Sequence, residues 1–395
     1  MTIGVWVLGD GLSQHQSALN SCQENRSQTP VISIESSKYV QQRPYHGQKL
    51  VLVWSAMRHF AEELKQEGWQ VTYQIAEDFV TPLQNWLKAQ NITKLRIMTP
   101  SDRPFAELIQ NLDLDCQIEL LPNNHFLWNK IEFQEWAKSR KRLLLEDFYR
   151  EGRKRFKILM EEDKPAGGQW NFDKQNRKPP KQNLATPEPL WFKPDKITIS
   201  VIERVKKLKL DVYGEIEPFC WGVNRHQAKQ VLEHFLEKGL ANFGTYQDAM
   251  VTGENTLWHS LLSPYLNLGL LHPLEVIQAA ELAYHSRKLA LNNVEGFIRQ
   301  ILGWREYMHG IYHHMDANYS ESNWFDHHRP LPEFYWNANK TEMNCLRQTL
   351  TQVEKTGYAH HIQRLMVLSN FALISGVSPQ EIEAWFHTAF IDAYD

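Results

Sequence analysis

With 395 residues, the chain is longer than one hydrophobic core usually organises, so two or three domains are expected. Its apolar fraction of 42% and charged fraction of 23% are those of a globular protein, and a net charge of −3 excludes a uniformly basic nucleic-acid coat. No apolar run reaches bilayer length, and the start MTIGVWVLGDGLS lacks the features of a secretory signal. Cys22, Cys116, Cys220 and Cys345 form no CxxC pair, which fits a reducing cytoplasm.

In the first 125 residues or so, the runs GVWVLGD, VISIES, VTYQIA, LRIMTP and IELLPN read as strands, each a short apolar run closed by turn or polar residues. Helical periodicity fills 49–68, 81–90 and 105–113 between them, with Gly68 placed to end the first helix. This alternation predicts an α/β domain over 1–127 with a Rossmann-like parallel sheet. Ligands of such sheets gather at the carboxyl ends of the strands, where Asp10 and Glu35 fall. Asp10 is equally well explained as a turn former. The chain has no GxGxxG and no P-loop, so it carries neither a dinucleotide fingerprint nor an NTPase phosphate clamp.

The stretch 128–162 is predicted to be long, helical and basic. Between Lys138 and Lys157, nine Lys or Arg stand against three acids, suited either to phosphates or to a solvated helix face. A breaker-rich connector follows over 165–194, stiffened by Pro179 and Pro180. Its Trp170, Phe172, Asp173 and Arg177 suit contact with a nucleic acid, or would pin the loop to a domain surface. The segment 128–197 thus separates the α/β domain from an all-α domain over 198–395. There, helical spacing runs through 198–209, 225–239, 273–285, 294–315, 342–355, 358–374 and 379–389, without strands or an internal repeat.

Chemistry concentrates in four stretches of the helical half. Over 294–315, Val294, Phe297, Ile301, Trp304, Met308, Ile311 and Met315 make one apolar stripe. Gln300 lies one turn before Trp304, and Arg305 sits at the margin of the stripe. An indole, an amide and a guanidinium there point to a ligand with flat and anionic parts, or else to a core helix with a snorkelling arginine. Ser260 and Ser263 straddle Leu261 and Leu262 before Pro264, which is either an anion seat or an ordinary helix start. His361 and Arg364 are one turn apart and can face one pocket, unless His361 is structural. Asp392 is placed to pair with Arg364 or to accept from a ligand.

The segments LGDGLS, YHGQKLVLVWSAMRHFAEEL, GGQWNFDKQNR, FGTYQDAM, SLLSPYLNLGLL, EGFIRQILGWREYM, MNC and YAHHIQRLM together resemble the photolyase–cryptochrome superfamily. More narrowly, they resemble its prokaryotic iron–sulfur branch, the deoxyribodipyrimidine photolyase-related proteins, along the chain from residue 3 to 395. The resemblance implies light-driven repair of (6-4) photoproducts in UV-damaged DNA, with FAD in the helical domain and a lumazine-type antenna in the α/β domain. It places Ser260, Leu261, Leu262 and Ser263 on the FAD pyrophosphate and Arg305 on FAD, with Arg364 and Asp392 beside it. Trp304 and Gln300 would face the flipped lesion, and His361 would be the general acid. Trp336 and Trp385 would carry electrons to the flavin, while Asp10, Glu35 and Tyr39 would hold the antenna. Cys345 matches the first of four ligands to a [4Fe–4S] cluster. The family's other three lie beyond the position of Asp395, so the chain is expected to be shortened at its C-terminus and its cluster ligands incomplete. A monomer without membrane attachment is expected. Two other readings stand beside repair: a cryptochrome-like blue-light photoreceptor, and a truncated inactive remnant.

Overall fold

The computed structural model describes residues 2–180 and 185–394. Residues 181–184 of the expected connector, and the terminal residues of the expected first and last domains, lie outside the described residues. Five strands, β1 (Ile3–Trp6), β2 (Pro30–Ser36), β3 (Gln70–Ala76), β4 (Lys94–Met98) and β5 (Gln117–Leu121), form one parallel sheet in the order β3-β2-β1-β4-β5. Each of the five expected apolar runs supplies one strand. β2 is buried at every position, as a central parallel strand covered on both faces should be. Helices Gly47–Gln66, Val80–Ala89 and Arg103–Gln110 provide crossovers where helical spacing predicted them.

The remainder is mostly helical, and no further strand of the main sheet occurs among the described residues. The expected basic helix over 128–162 is instead two helices, Lys130–Lys138 and Leu145–Phe156, followed by a two-strand hairpin at Met160–Glu161 and Lys164–Pro165. The break has local causes. Arg140 stacks over Trp136 at 4.4 Å and donates to Trp136 O at 2.8 Å, which ends the first helix. Glu146 and Asp147 then open the second, where acids complement the exposed N–H groups.

The two halves interlock. Helix Lys196–Lys207 packs on Gly47–Gln66; Asp195 caps it by accepting from Thr198 N at 2.9 Å and also pairs with His59 at 2.7 Å. His46, fully buried, caps Gly47–Gln66 through Nδ1, while its Nε2 reaches Val353 O and Glu354 O at 3.0 and 3.1 Å in the helical half. One acceptor and one donor nitrogen define a neutral ring, and burial lowers its pKa to about 4. Gly214 permits this contact: its φ is +66°, and a Cβ there would lie 2.3 Å from His46 Nε2.

Among the described residues, three helical stretches contain π-wound segments: Phe235–Gly239, Arg299–Arg305 and Gln363–Ser369. Such segments are uncommon and tend to occur at functional sites.

Candidate flavin and antenna cavities

One cavity of about 360 Å³ in the helical half is walled by Ser260, Leu261, Leu262, Ser263, Gln300, Arg305, His361, Arg364 and Asp392, with Phe243, Phe297, Ile301 and Tyr358 among its apolar walls. All seven residues expected to contact FAD therefore share one space, together with His361 and Gln300. Leu261 adopts a left-handed φ of +56°, a strained conformation for a leucine and of the kind that clusters at binding sites. The helix after it, Ser263–Asn267, has only five residues, so little macrodipole supports an anion there. The Ser263 hydroxyl donates to Asp392 Oδ2 at 2.5 Å. Arg364 grips the same carboxylate with two nitrogens at 2.9 and 3.1 Å and lies 4.2 Å over the ring of Phe390.

Arg305 lies 4.0 Å over Phe126, donates to His125 O at 3.3 Å and pairs with Glu306 at 3.1 Å. Glu306 in turn accepts from Leu127 N and Trp128 N at 2.7 and 3.2 Å, and burial pushes its pKa up to about 7. Arg305 Nε and His259 Nε2 are buried without a hydrogen-bond partner. Orphaned polar atoms in a cavity wall, an arginine pair, a carboxylate acceptor and apolar faces suit a flat heteroaromatic ligand carrying phosphate. These residues fit FAD.

Across the π-wound turn, Gln300 and Arg305, five residues apart, both line this space, as do Phe297 and Ile301. Trp304 falls outside the walls; it is 45% exposed, with its ring centroid 6.4 Å from that of Tyr307. The α-helical spacing assumed from sequence paired Gln300 with Trp304 instead. His361 stands exposed at the cavity mouth, and partial burial, aided by the Arg364 charge, lowers its pKa while Asp248 raises it. Its neighbour His360 stacks on His259 at 4.7 Å; burial is the main cause holding both below the usual imidazole range, His360 at about 4. Sequence reading singled out neither ring, since only tertiary contact pairs positions 101 residues apart.

Trp385, fully buried, meets Tyr335 at 5.0 Å, Tyr213 at 6.4 Å and Phe390 at 5.6 Å, and its Nε1 donates to Tyr335 O at 2.9 Å. Trp336 is 41% exposed, and its ring lies 5.8 Å from that of Tyr213, centroid to centroid. The rings thus run from the surface at Trp336 through Tyr213 to Trp385, with Phe390 next to Arg364 at the cavity.

A second cavity of about 170 Å³ opens at the carboxyl ends of β1, β2 and β4. Trp6, Tyr39, Trp54, Phe79 and Phe105 supply ring surfaces, and Asp10, Lys49 and Asp102 supply charge. Tyr39 leans on Phe79 and Phe105 at 5.6 and 5.1 Å. Enclosure raises the Asp10 pKa, although its carboxylate accepts from Ser101 N at 3.4 Å. Glu35 does not reach this space. Its side chain is wholly buried under Arg58 at 2.7 Å, Arg204 at 3.3 Å and the Tyr73 hydroxyl at 2.6 Å, an arrangement that locks helix Lys196–Lys207 to the sheet.

Cys345 is an exposed free thiol in the first turn of helix Asn344–Thr356. Among the described residues, no three His, Cys, Asp or Glu side chains are grouped to hold a metal. The basic block divides between packing within the fold and the surface. Arg153 is fully buried, donating to Ile158 O, Leu159 O and Trp170 O. Arg150 pairs with Glu146, Arg155 with Glu132 and Lys138 with Glu135. Lys141, Arg142, Lys154 and Lys157 are exposed, as are the paired Lys138 and Arg155. The connector is pinned to the helical half, with Phe172 N donating to Glu295 at 3.1 Å and Asp173 bridging Arg299 and Arg177 at 3.0 and 2.5 Å. No described helix is long and apolar enough to cross a membrane.

Comparison with known proteins places this architecture. A (6-4) photolyase of Agrobacterium fabrum is 40% identical over 399 residues, an alignment covering 99% of this chain and 78% of that protein. The fold matches a crystal structure of a class III photolyase from Agrobacterium tumefaciens with a TM-score of 0.69 at 19% identity, covering 99% of this chain and 77% of that one. It matches a Synechocystis cryptochrome with a TM-score of 0.65 at 14% identity, covering 100% and 79% respectively. The sequence model of the deoxyribodipyrimidine photo-lyase-related proteins matches residues 5–221, and the chain belongs to that family.

Proposed function

We propose that the chain is a light-driven DNA repair flavoprotein, a photolyase that binds FAD in the helical cavity and acts on (6-4) photoproducts. The observation that carries this reading is the convergence of nine separately singled-out residues, Ser260 to Ser263, Gln300, Arg305, His361, Arg364 and Asp392, on one cavity. The whole-length similarity to a (6-4) photolyase supports the same lesion class. Bound and reduced, FAD would supply one electron to the lesion on absorbing blue light.

The remaining chemistry belongs to the chain. Arg305 and the 260–263 turn would hold the pyrophosphate, and the Arg364–Asp392 pair would contact the ring system. A damaged base reaches this space only when extruded from the duplex. His361, at the mouth, would donate a proton to the group that migrates back during repair, and Gln300 would hydrogen-bond the extruded base. Exposed Trp304 would stack outside the cavity, against a neighbouring base, for about 1–3 kcal/mol. Lys141, Arg142, Lys154 and Lys157 would contact phosphates without reading sequence.

Trp336, Tyr213 and Trp385 would carry electrons inward when the flavin is oxidised. The sheet-end cavity would take a lumazine-type antenna between Tyr39 and the facing aromatic rings, with Asp10 as a polar contact. This reading keeps an antenna-type part over 1–127, the basic helices and connector over 128–197 and a flavin-binding part from 198, acting as a cytoplasmic monomer. The test is repair of a defined (6-4) oligonucleotide by the reduced, FAD-loaded protein under blue light. An intact lesion beside a photoreducible flavin would favour a photoreceptor instead.

A further inference from the structure

The two cavities meet in one short stretch of chain. His387 and Tyr394 line the sheet-end cavity, while Asp392, between them, lines the helical cavity and holds Arg364. Lys49, in the wall of the sheet-end cavity, donates from Nζ to His387 O at 3.0 Å and Ala393 O at 2.5 Å, spanning this stretch from both ends. The backbone between is held by His46 N to Thr388 O at 2.9 Å, Ile391 N to Gly357 O at 2.8 Å, and Asn267 Nδ2 to Asp392 O at 2.8 Å. Lys49 is only 4% exposed, and its ammonium lies 5.0 and 4.8 Å from the rings of Tyr45 and Tyr394. An ammonium so enclosed must keep its acceptors, so a ligand that moves or fixes Tyr394 and His387 also sets where Asp392 lies.

We infer that a flat heteroaromatic ligand in the sheet-end cavity tightens flavin binding in the helical cavity, with Lys49 as the positioning residue that transmits the effect to Asp392. This rests on the flavin reading of the helical cavity. Packing against His387 and Tyr394 would hold the two acceptors of Lys49 in place, so Asp392 is already positioned when the second ligand meets it. The coupling is reciprocal: FAD tightens the sheet-end ligand by the same factor.

The test titrates flavin-free protein with FAD, by flavin fluorescence, with and without saturating 6,7-dimethyl-8-ribityllumazine, whose own absorbance reports its binding. The FAD Kd is expected to fall by about 5-fold or more with the probe bound, and Lys49→Met should bring that factor close to one. Hydrogen exchange across 388–393 should slow on adding the probe alone, a readout that needs neither flavin nor a variant. Equal FAD affinities with and without bound probe, in the unmodified protein, would overturn the inference while leaving the flavin reading intact. A probe that does not bind overturns it as well, by removing the ligand class. No FAD binding under either condition would refute the flavin reading and the coupling together.

Discussion

Replacing Asp392 by alanine should damage both the fold and the cofactor site. Its side chain is 6% exposed, forms an ion pair with both terminal nitrogens of Arg364 and accepts from Ser263. The variant leaves the Arg364 guanidinium, itself only 21% exposed, with the carbonyl of Ala359 at 2.6 Å and the face of Phe390. Removing one partner of a buried ion pair costs about 3–5 kcal/mol, and the residual exposure of Arg364 argues for about 3. At about 2.1 cal/mol/K per residue, 395 residues unfolding as one unit would lose about 4 °C in Tm. Asp392→Asn retains an acceptor for Ser263 and should lose about half as much. Differential scanning calorimetry gives the Tm, and absorbance after gel filtration gives the flavin retained. A Tm within 1 °C of the parent (about a quarter of the expected shift), with full flavin content, would refute the role assigned to this pair.

His361→Ala should lower the repair rate by about 10²–10⁴-fold while leaving the flavin spectrum unchanged. Since the protonated ring is the donor and its pKa is lowered, repair should decline as pH rises through a value below the ordinary imidazole range. Asp248→Asn, which removes a charge that raises that pKa, should move the decline further to the acid side; an unmoved pH profile would separate Asp248 from His361. Glu35→Ala should destabilise the protein by about 3–5 kcal/mol, because Arg58 and Arg204 lose a buried partner, and antenna-cavity ligands should still bind; loss of binding at unchanged stability would reverse that assignment. Trp385→Phe should slow photoreduction of oxidised flavin in flash absorption, and Trp336→Phe should do so too; an unchanged rate in both would remove the ring path.

The sheet was legible because its signals are local. Each strand is a short apolar run ended by its own turn residues, and the period-two and helical patterns do not compete. The helical cavity was legible through resemblance and residue type, with Arg364 and Asp392 meeting as expected. Other features depend on contacts that no local pattern encodes. Trp304, in the π-wound turn 299–305, lies off the wall, whereas the expected period grouped it with Gln300. Glu35 sits at a strand end like a ligand residue, yet Arg204, 169 positions on, neutralises it. Of the charge at 138–157, which suited either phosphates or a solvated helix face, Arg153, Arg150 and Arg155 are committed to neighbours within the protein. The broken helix there follows from Arg140 closing on Trp136, a side-chain event that periodicity does not register.

The central claim is that this cavity holds a reduced flavin which, under light, restores a (6-4) lesion with His361 as acid. An oligonucleotide carrying one such lesion, incubated with the FAD-loaded, reduced protein, tests it most directly by chromatography of the products. The account predicts restored pyrimidines after blue illumination, none in the dark, and none with His361→Ala. Lesion left intact after prolonged illumination, with flavin demonstrably bound and reduced, would contradict it.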